Sequence, residues 1–122
     1  MKEEQVIAFI QAHIKSVWAL ELLILLAADR NRVWTADDLV RYMRSSAAAV
    51  EEAIRNLDAA AVLEKTAEGG LRFAPPSPDL DQLIVGAQNL YATKPATVVR
   101  AIMTAQEDRL RIFADAFKFR KE

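Results

Sequence analysis

A chain of 122 residues is long enough for one domain with its own hydrophobic core, and hydrophobic residues make up 52% of it, so a packed globular protein is expected. The absence of cysteine excludes disulfide bonds, thiolate metal ligands and a cysteine nucleophile, and it favours a cytoplasmic protein. Lysine and arginine number 16 against 17 acidic residues, so the net charge of −1 gives no overall attraction to nucleic acid, and any such site must be local.

The chain begins with a predicted amphipathic helix over residues 3–15. No apolar run with a cleavage site follows the acidic N-terminus, so we expect no signal peptide. The apolar side chains of this helix recur every three or four residues, which is the spacing of one helix face. They are Val6, Phe9 or Ile10, Ile14 and then Val17. The sequence leaves open whether this helix is continuous with the next.

The second predicted helix, Val17–Ala28, is the most apolar stretch of the chain. It carries one charge, Glu21, it follows a candidate N-cap at Ser16, and its twelve residues cannot cross a membrane, which needs about 20. A surface helix needs only one apolar stripe, whereas this segment is apolar all round. A second surface must cover it, from the same chain, from a second copy or from a partner protein. We expect Glu21 to lie at the rim or to pair with a basic residue.

Two shorter helices joined by a turn follow. Thr35–Asp38 has the pattern of a capping box and predicts a helix over residues 37–43, after a short extended piece over residues 32–34. Either serine of the turn at residues 44–46 can cap a further helix, from Ala47 to about Ala60. The core stripe of that helix is Val50, Ile54 and Leu57, at helical spacing.

The remainder of the chain predicts a β-hairpin and further helices. Two strand-like runs, residues 62–66 and 71–74, flank Gly69 and Gly70, as in a hairpin. Ser77 and Pro78 begin a helix that ends near Leu90 or Tyr91. After Pro95 a helix follows, and the capping-box pattern at Thr104–Glu107 predicts a fresh helix start. The last helix carries Leu110, Phe113, Ala114 and Phe117, and it ends in the basic tail Lys118–Lys121.

This order of helix, short strand, helix, tight turn, helix and hairpin resembles the winged helix-turn-helix family, which includes the small MarR-like and PadR-like bacterial transcription regulators. The resemblance covers residues 16–74. Its most telling part is Val50–Lys65, where a helix runs into the wing. It implies a mainly α fold with a small β-hairpin wing, with an N-terminal helix at 1–15, a winged core at 16–74, and C-terminal helices at 75–122 for dimerisation or packing.

The resemblance implies a DNA-binding transcriptional regulator that contacts double-stranded DNA. The donor side chains around the implied recognition helix are the candidate DNA contacts: Arg41, Arg44, Ser45, Ser46, Arg55, Asn56, Lys65 and Arg72. Two departures from the family pattern stand out. Ala61 occupies a position where the family usually has glycine, so either its φ is positive, at about 1 kcal/mol, or the helix ends differently.

The second departure concerns the recognition helix itself, which begins with three alanines and then presents Glu51 and Glu52. Carboxylates repel a phosphate backbone, and alanine can do little beyond touching a thymine methyl group. The alternative hypothesis is therefore a winged-helix protein-interaction module that binds no DNA directly and takes a basic partner on Glu51 and Glu52. That partner is another protein or the chain's own basic tail.

Few residues suggest catalysis. His13 is the single histidine and has no second ligand at helical spacing, and the acid pairs at 37–38 and 51–52 are explained by helix caps and solvated faces. We therefore expect no enzyme, no metal and no cofactor. We expect the larger aromatic side chains to belong to the core: Trp18, Trp34, Phe73 and Tyr91. The apolar faces of the terminal helices predict a homodimer.

Overall fold

The computed structural model describes the backbone of residues 2–120 and the side chains of residues 2–116. Within that range the protein is mainly helical with one small antiparallel sheet, which confirms the predicted combination of helices and a hairpin. The elements in chain order are α1 (Glu3–His13), α2 (Val17–Ala28), α3 (Ala36–Met43), α4 (Ala47–Ala59), β1 (Leu63–Lys65), β2 (Leu71–Phe73), α5 (Pro78–Thr93) and α6 (Pro95–Arg120).

The predicted helix caps of α2, α3 and α5 are confirmed, and the open choice for α4 falls on Ser46. In each of these helices a Ser or Thr hydroxyl accepts a hydrogen bond from a backbone N–H of the first turn, which would otherwise lack a partner. Asp38 completes the capping box of α3 by accepting from the Thr35 N–H at 3.2 Å. The hydroxyl caps are Ser16, Thr35, Ser46 and Ser77.

The predicted fresh helix start at Thr104 is wrong, because α6 is one helix from Pro95 to Arg120. No glycine or proline stands between Ala96 and Arg120, so nothing in that segment interrupts the hydrogen-bond ladder. A Thr and a Glu three residues apart fit the interior of a helix as well as its start. The side chain of Phe117 and those of the basic tail Lys118–Lys121 lie outside the described residues.

Helices of the same chain cover most of α2. It packs against α4, α5 and β2, and Leu20, Leu22 and Leu26 have no exposed surface. Trp18 departs from the predicted all-round burial, because its side chain is 42% exposed. Glu21 lies at the half-buried rim, where its Oε1 accepts a hydrogen bond from the Tyr91 hydroxyl at 3.2 Å. Among residues 2–120 no single helix is long and apolar enough to span a membrane.

The chain turns sharply between α1 and α2, whose axes differ in direction by 115°. α1 therefore ends at His13, short of the predicted Lys15, and lies against α5 and α6. Gly86 permits the contact with α5, because a Cβ atom at that position would lie 2.7 Å from Cγ2 of Val6. The apolar face of α1 that was predicted to pair two copies is thus covered within the chain: Val6, Phe9, Ile10 and Ile14.

The small sheet is built from the hairpin and one residue that precedes α3. β1 pairs with β2, with Leu63 opposite Phe73, and Gly69 takes the positive φ of 83° that the turn requires. Trp34 adds an isolated bridge on the other side of β2, donating to the Leu71 carbonyl at 2.8 Å and accepting from its N–H at 2.7 Å. After the end of α4, Ala61 has a φ of 62°. Of the two alternatives that the sequence left open, a positive φ at Ala61 or a different helix ending, the structure shows the positive φ.

The two halves of α6 differ in their surroundings. Val98, Ala101 and Ile102 are buried against the rest of the chain. Arg109 bonds to the body of the protein, from Nη2 to the carbonyl of Gln11 at 2.6 Å. The side chains that follow it, from Leu110 to Ala116, are exposed, and several of them are apolar.

Candidate interaction surface

The turn between α3 and α4 is fixed by backbone geometry. Arg44 ends α3 in the left-handed region, with a φ of 53°, and the N–H of Ser45 then donates to the carbonyl of Val40 at 3.1 Å. The hydroxyl of Ser46 accepts from the Ala49 N–H at 3.1 Å and begins α4. The hydroxyl oxygen of Ser46 is thus already used as the cap of α4. Ser45 is half-buried.

The outward face of α4 is small and acidic. Its buried face holds the core residues that the sequence indicated, with Val50 and Leu57 at 2% and 0% exposure and Ile54 half-buried. Its exposed face begins with Ala47 and Ala48 and continues through Glu51, Glu52 and Arg55. One cation thus stands beside these two carboxylates, and Asp58 adds a third exposed carboxylate, so the face is negative in charge.

Three of the predicted DNA-contacting cations are paired with carboxylates of the same surface. Arg41 contacts Asp38 at 3.0 Å, Lys65 contacts Asp58 at 3.5 Å, and Arg72 contacts Glu64 at 2.9 Å. The pKa of Asp38 lies below its usual value, first because its carboxylate accepts the backbone hydrogen bond from Thr35, and then through the Thr35 hydroxyl and Arg41. Each of these three positive charges is therefore balanced within a few ångströms.

Two of the predicted cations are placed differently. Arg44 and Arg55 are exposed, and neither has a carboxylate partner within 4 Å among the side chains of residues 2–116. Arg55 borders a cleft of about 380 Å³ between α4, α6 and the turn before α2. The cleft is lined by Lys15, Ser16, Glu52, Arg55, Asn56 and Gln106. Arg44 and Arg55 are thus the two candidates whose charge is free to meet a ligand.

Asn56 lies inside the chain and not on its surface. It is 7% exposed, its Nδ2 donates to the carbonyl of His13 at 2.6 Å, and its Oδ1 accepts from the N–H of Lys15 at 2.8 Å. These bonds satisfy backbone groups at the sharp turn between α1 and α2, where no helix ladder continues. The amide is thus already engaged, and the structure removes Asn56 from the set of residues that can read a base.

Comparison of the chain with protein-family models, curated proteins and solved structures gave no significant match.

The remaining candidate side chains are distributed between core and surface. Trp34 and Phe73 are buried, as predicted, and Tyr91 is half-buried. Burial, and then the nearby carboxylate of Glu21, raises the pKa of Tyr91. His13 is exposed, with its ring 5.4 Å from that of Phe9, and the described residues contain no group of three potential metal ligands.

The sequence did not indicate that the exposed Tyr42 of α3 packs against the buried Trp34. Tyr42 is 62% exposed and meets Trp34 edge-on at 5.3 Å, while the guanidinium of Arg32 lies 3.6 Å from the centre of a Trp34 ring. The contact between Arg32 and Trp34 could have been predicted, because residues two apart in an extended segment share a face. The exposure of Tyr42 carried no such signal, since it depends on how α3 packs.

Proposed function

We propose that this chain is a winged helix-turn-helix protein that acts as a protein-interaction module, with the outward face of α4 as its contact surface. The order of α2, the Trp34 bridge, α3, α4 and the hairpin supports the winged-helix assignment. A winged helix serves as a DNA reader or as a docking module, so the fold alone does not select the function. The charges of the surface favour docking.

The observation that carries the proposal is the charge balance around α4. Duplex DNA is bound chiefly through cations that face its phosphates, and each uncompensated carboxylate on such a face repels them. Here Glu51 and Glu52 lie in the middle of the face, while Lys65 and Arg72 are engaged with carboxylates at its side. This arrangement attracts a basic partner better than it attracts DNA.

The partner that fits is a segment rich in lysine or arginine. Ala47 and Ala48 project little from the helix, so another backbone can approach closely beside the two glutamates. Exposed ion pairs contribute only about 0–1 kcal/mol each, and they weaken as salt is added. We therefore expect a weak and salt-sensitive contact, with electrostatics that speed the encounter and select the partner.

The test compares two double variants with the same change in charge. Glu51→Gln with Glu52→Gln removes two negative charges from the α4 face, and Glu4→Gln with Glu107→Gln removes two exposed negative charges from α1 and α6. The probe is a fluorescent lysine-rich helical peptide, followed by anisotropy at about 50 mM salt. We expect the α4 variant to bind several-fold more weakly, since each lost pair is worth at most about fivefold. Equal effects in both variants would count against the proposal.

A second candidate function, a DNA-binding transcriptional regulator, is favoured by Arg44 and Arg55, which are exposed and carry no carboxylate partner in the described part of the chain. Under this hypothesis the α4 variant should bind duplex DNA more tightly, because repulsion is removed. Replacing Arg41, Arg44 or Arg72 by Ala should weaken binding to all sequences and flatten its salt dependence by about one unit per contact. No retardation of random duplex at about 50 mM salt would exclude this candidate.

A further inference from the structure

A cleft with a polar lining lies between α4, α6 and the turn before α2. Its volume of about 380 Å³ falls in the range of small-molecule sites, and the side chains that line it within the described part of the chain are all polar. They are Lys15, Ser16, Glu52, Arg55, Asn56 and Gln106. We refer to this site as the polar cleft, and its lining suits a charged ligand.

The three charged side chains of the polar cleft do not neutralise one another. Lys15, Glu52 and Arg55 are exposed, and none of them forms an ion pair within 4 Å among the side chains of residues 2–116. Glu52 and Arg55 remain apart although they lie on one face of α4, three residues from each other. The lining therefore offers two positive charges and one negative charge to a ligand.

Two further features make the surroundings of the polar cleft more positive. The cleft lies at the start of α2, where Ser16 caps the helix and the N–H groups of the first turn add partial positive charge. Arg109 follows Gln106 by three residues on α6, and it too forms no ion pair within 4 Å in the described part of the chain. A ligand with a net negative charge is thus attracted, and Glu52 can meet one positive group of that ligand.

Hydrogen bonds between elements hold the walls of the polar cleft in place. The side chain of Asn56 joins α4 to the backbone of the turn before α2, with bonds of 2.6 Å and 2.8 Å. Gln11 joins α1 to α6 twice, since its Nε2 donates to the carbonyl of Ala101 at 3.3 Å and its own carbonyl accepts from Arg109 at 2.6 Å. The walls are therefore positioned before a ligand arrives, which lowers the cost of ordering them on binding.

We propose that the polar cleft binds a dicarboxylic amino acid, for which L-glutamate is the probe. Its two carboxylates complement Arg55 and Lys15, and its ammonium group complements Glu52. The guanidinium of Arg55 presents a planar fork to one carboxylate, whereas Lys15 supplies a point charge to the other. Exposed charge pairs each change an affinity by at most about fivefold, so we expect a weak complex with a dissociation constant of about 1–10 mM.

An NMR titration of the ¹⁵N-labelled chain at constant pH and ionic strength measures the binding. L-glutamate should cause saturable shifts at the polar cleft, in the backbone amide signals of Ser16 and Val17 and the side-chain amide signals of Gln106. Glutarate lacks the ammonium group and L-glutamine lacks the second carboxylate, so each should bind several-fold more weakly. No saturation up to about 50 mM L-glutamate, or binding of either analogue as tight as that of L-glutamate, would overturn the proposal.

Matched variants test whether the ligand lies in the polar cleft. Arg55→Gln should weaken the binding of L-glutamate by up to about fivefold. Arg100→Gln removes another exposed arginine, which lies on α6 outside the cleft and forms no ion pair within 4 Å in the described part of the chain, and it should leave the affinity unchanged. Equal losses in the two variants would refute the proposal.

Glu52→Gln separates the two kinds of charge on the ligand. It should weaken the binding of L-glutamate, because the partner of the ammonium group is lost, and it should tighten the binding of glutarate, because a repulsion is removed. Tighter binding of both ligands would show that the polar cleft takes simple anions and would contradict the proposal. The titrations contain neither a basic peptide nor DNA, so their failure would leave the proposed function of the α4 face untouched.

Discussion

α2 and the end of α6 are both helical and rich in apolar side chains, yet only one of them is covered by its own chain. Leu22 in α2 has no exposed surface, because α4, α5 and β2 surround that helix. Phe113 in α6 is 71% exposed, because the helix has by then passed the last element it packs against. The composition of both segments predicts that their apolar side chains are buried. The topology decides which segment lies against other elements of the same chain.

The largest expected effect separates these two regions directly. Leu22→Ala should lower the free energy of unfolding by about 2–5 kcal/mol, because it leaves a cavity in a packed core. Leu110→Ala removes the same atoms from a side chain that is 68% exposed, and at concentrations where the chain is monomeric it should change stability by less than about 0.5 kcal/mol. Urea denaturation followed by circular dichroism measures both. Similar losses in the two variants would mean that the end of α6 packs within the monomer.

The burial of α2 depends on the sharp turn between α1 and α2, and the side chain of Asn56 makes two hydrogen bonds to the backbone of that turn. Asn56→Ala leaves the carbonyl of His13 and the N–H of Lys15 without their partners, so we expect a loss of about 2–3 kcal/mol. Arg55→Ala, one residue earlier and exposed, is the matched control and should cost less than about 0.5 kcal/mol. Equal losses would show that the side chain of Asn56 is replaceable, for instance by water.

Sequence predicted local features of the fold well and distant ones poorly. Caps, such as Thr35 with Asp38, depend on residues three apart, and a hairpin depends on its turn, so both can be predicted from the sequence. The pattern is not unique to helix starts, because the one at Thr104–Glu107 lies inside α6. The role of Asn56 was not, because its partners are 41 and 43 residues away in the chain. A polar residue on a helix predicts a surface position until the elements around it are known.

The same limit applies to the candidate site. The sequence indicated which cations lie near α4, and it indicated that acids stand among them. It did not show that Lys65 reaches Asp58 across the start of the hairpin, which decides whether that charge is available. The termini were harder still, because a helix with one apolar face predicts a partner surface without saying where that surface lies. For α1 the surface proved to be α5 and α6 of the same chain.

A smaller effect concerns the end of α4, where the chain turns to place β2 over α2. Ala61 has a φ of 62°, which is unfavourable for a residue with a Cβ atom, so Ala61→Gly should stabilise the fold by up to about 1 kcal/mol. Ala59→Gly, two residues earlier and helical, should have the opposite sign and cost about 0.5–1 kcal/mol. Thermal denaturation of the pair measures the difference. A loss in both variants would contradict the left-handed conformation at Ala61.

The smallest expected effect is electrostatic and lies where α5 meets the end of α2. Arg30 and Asp81 form a bidentate ion pair, with contacts of 2.8 Å and 2.7 Å, and the hydrogen bond from Arg30 lowers the pKa of Asp81. Because both groups are about a third or more exposed, the pair should contribute less than about 1 kcal/mol.

A carboxylate whose pKa is lowered by folding stabilises the protein above its unfolded pKa, near 3.9, and loses that contribution as pH falls through the folded pKa. The stability difference between the natural chain and Asp81→Asn should therefore be constant from about pH 7 to pH 5 and shrink below about pH 4. Asp79→Asn, which removes another carboxylate from the first turn of α5, controls for the helix dipole. If both variants lose the same stability with the same pH profile, the ion pair adds nothing beyond a charge at the helix start, and α5 is held over α2 by apolar contacts and by the hydrogen bond from Tyr91 to Glu21.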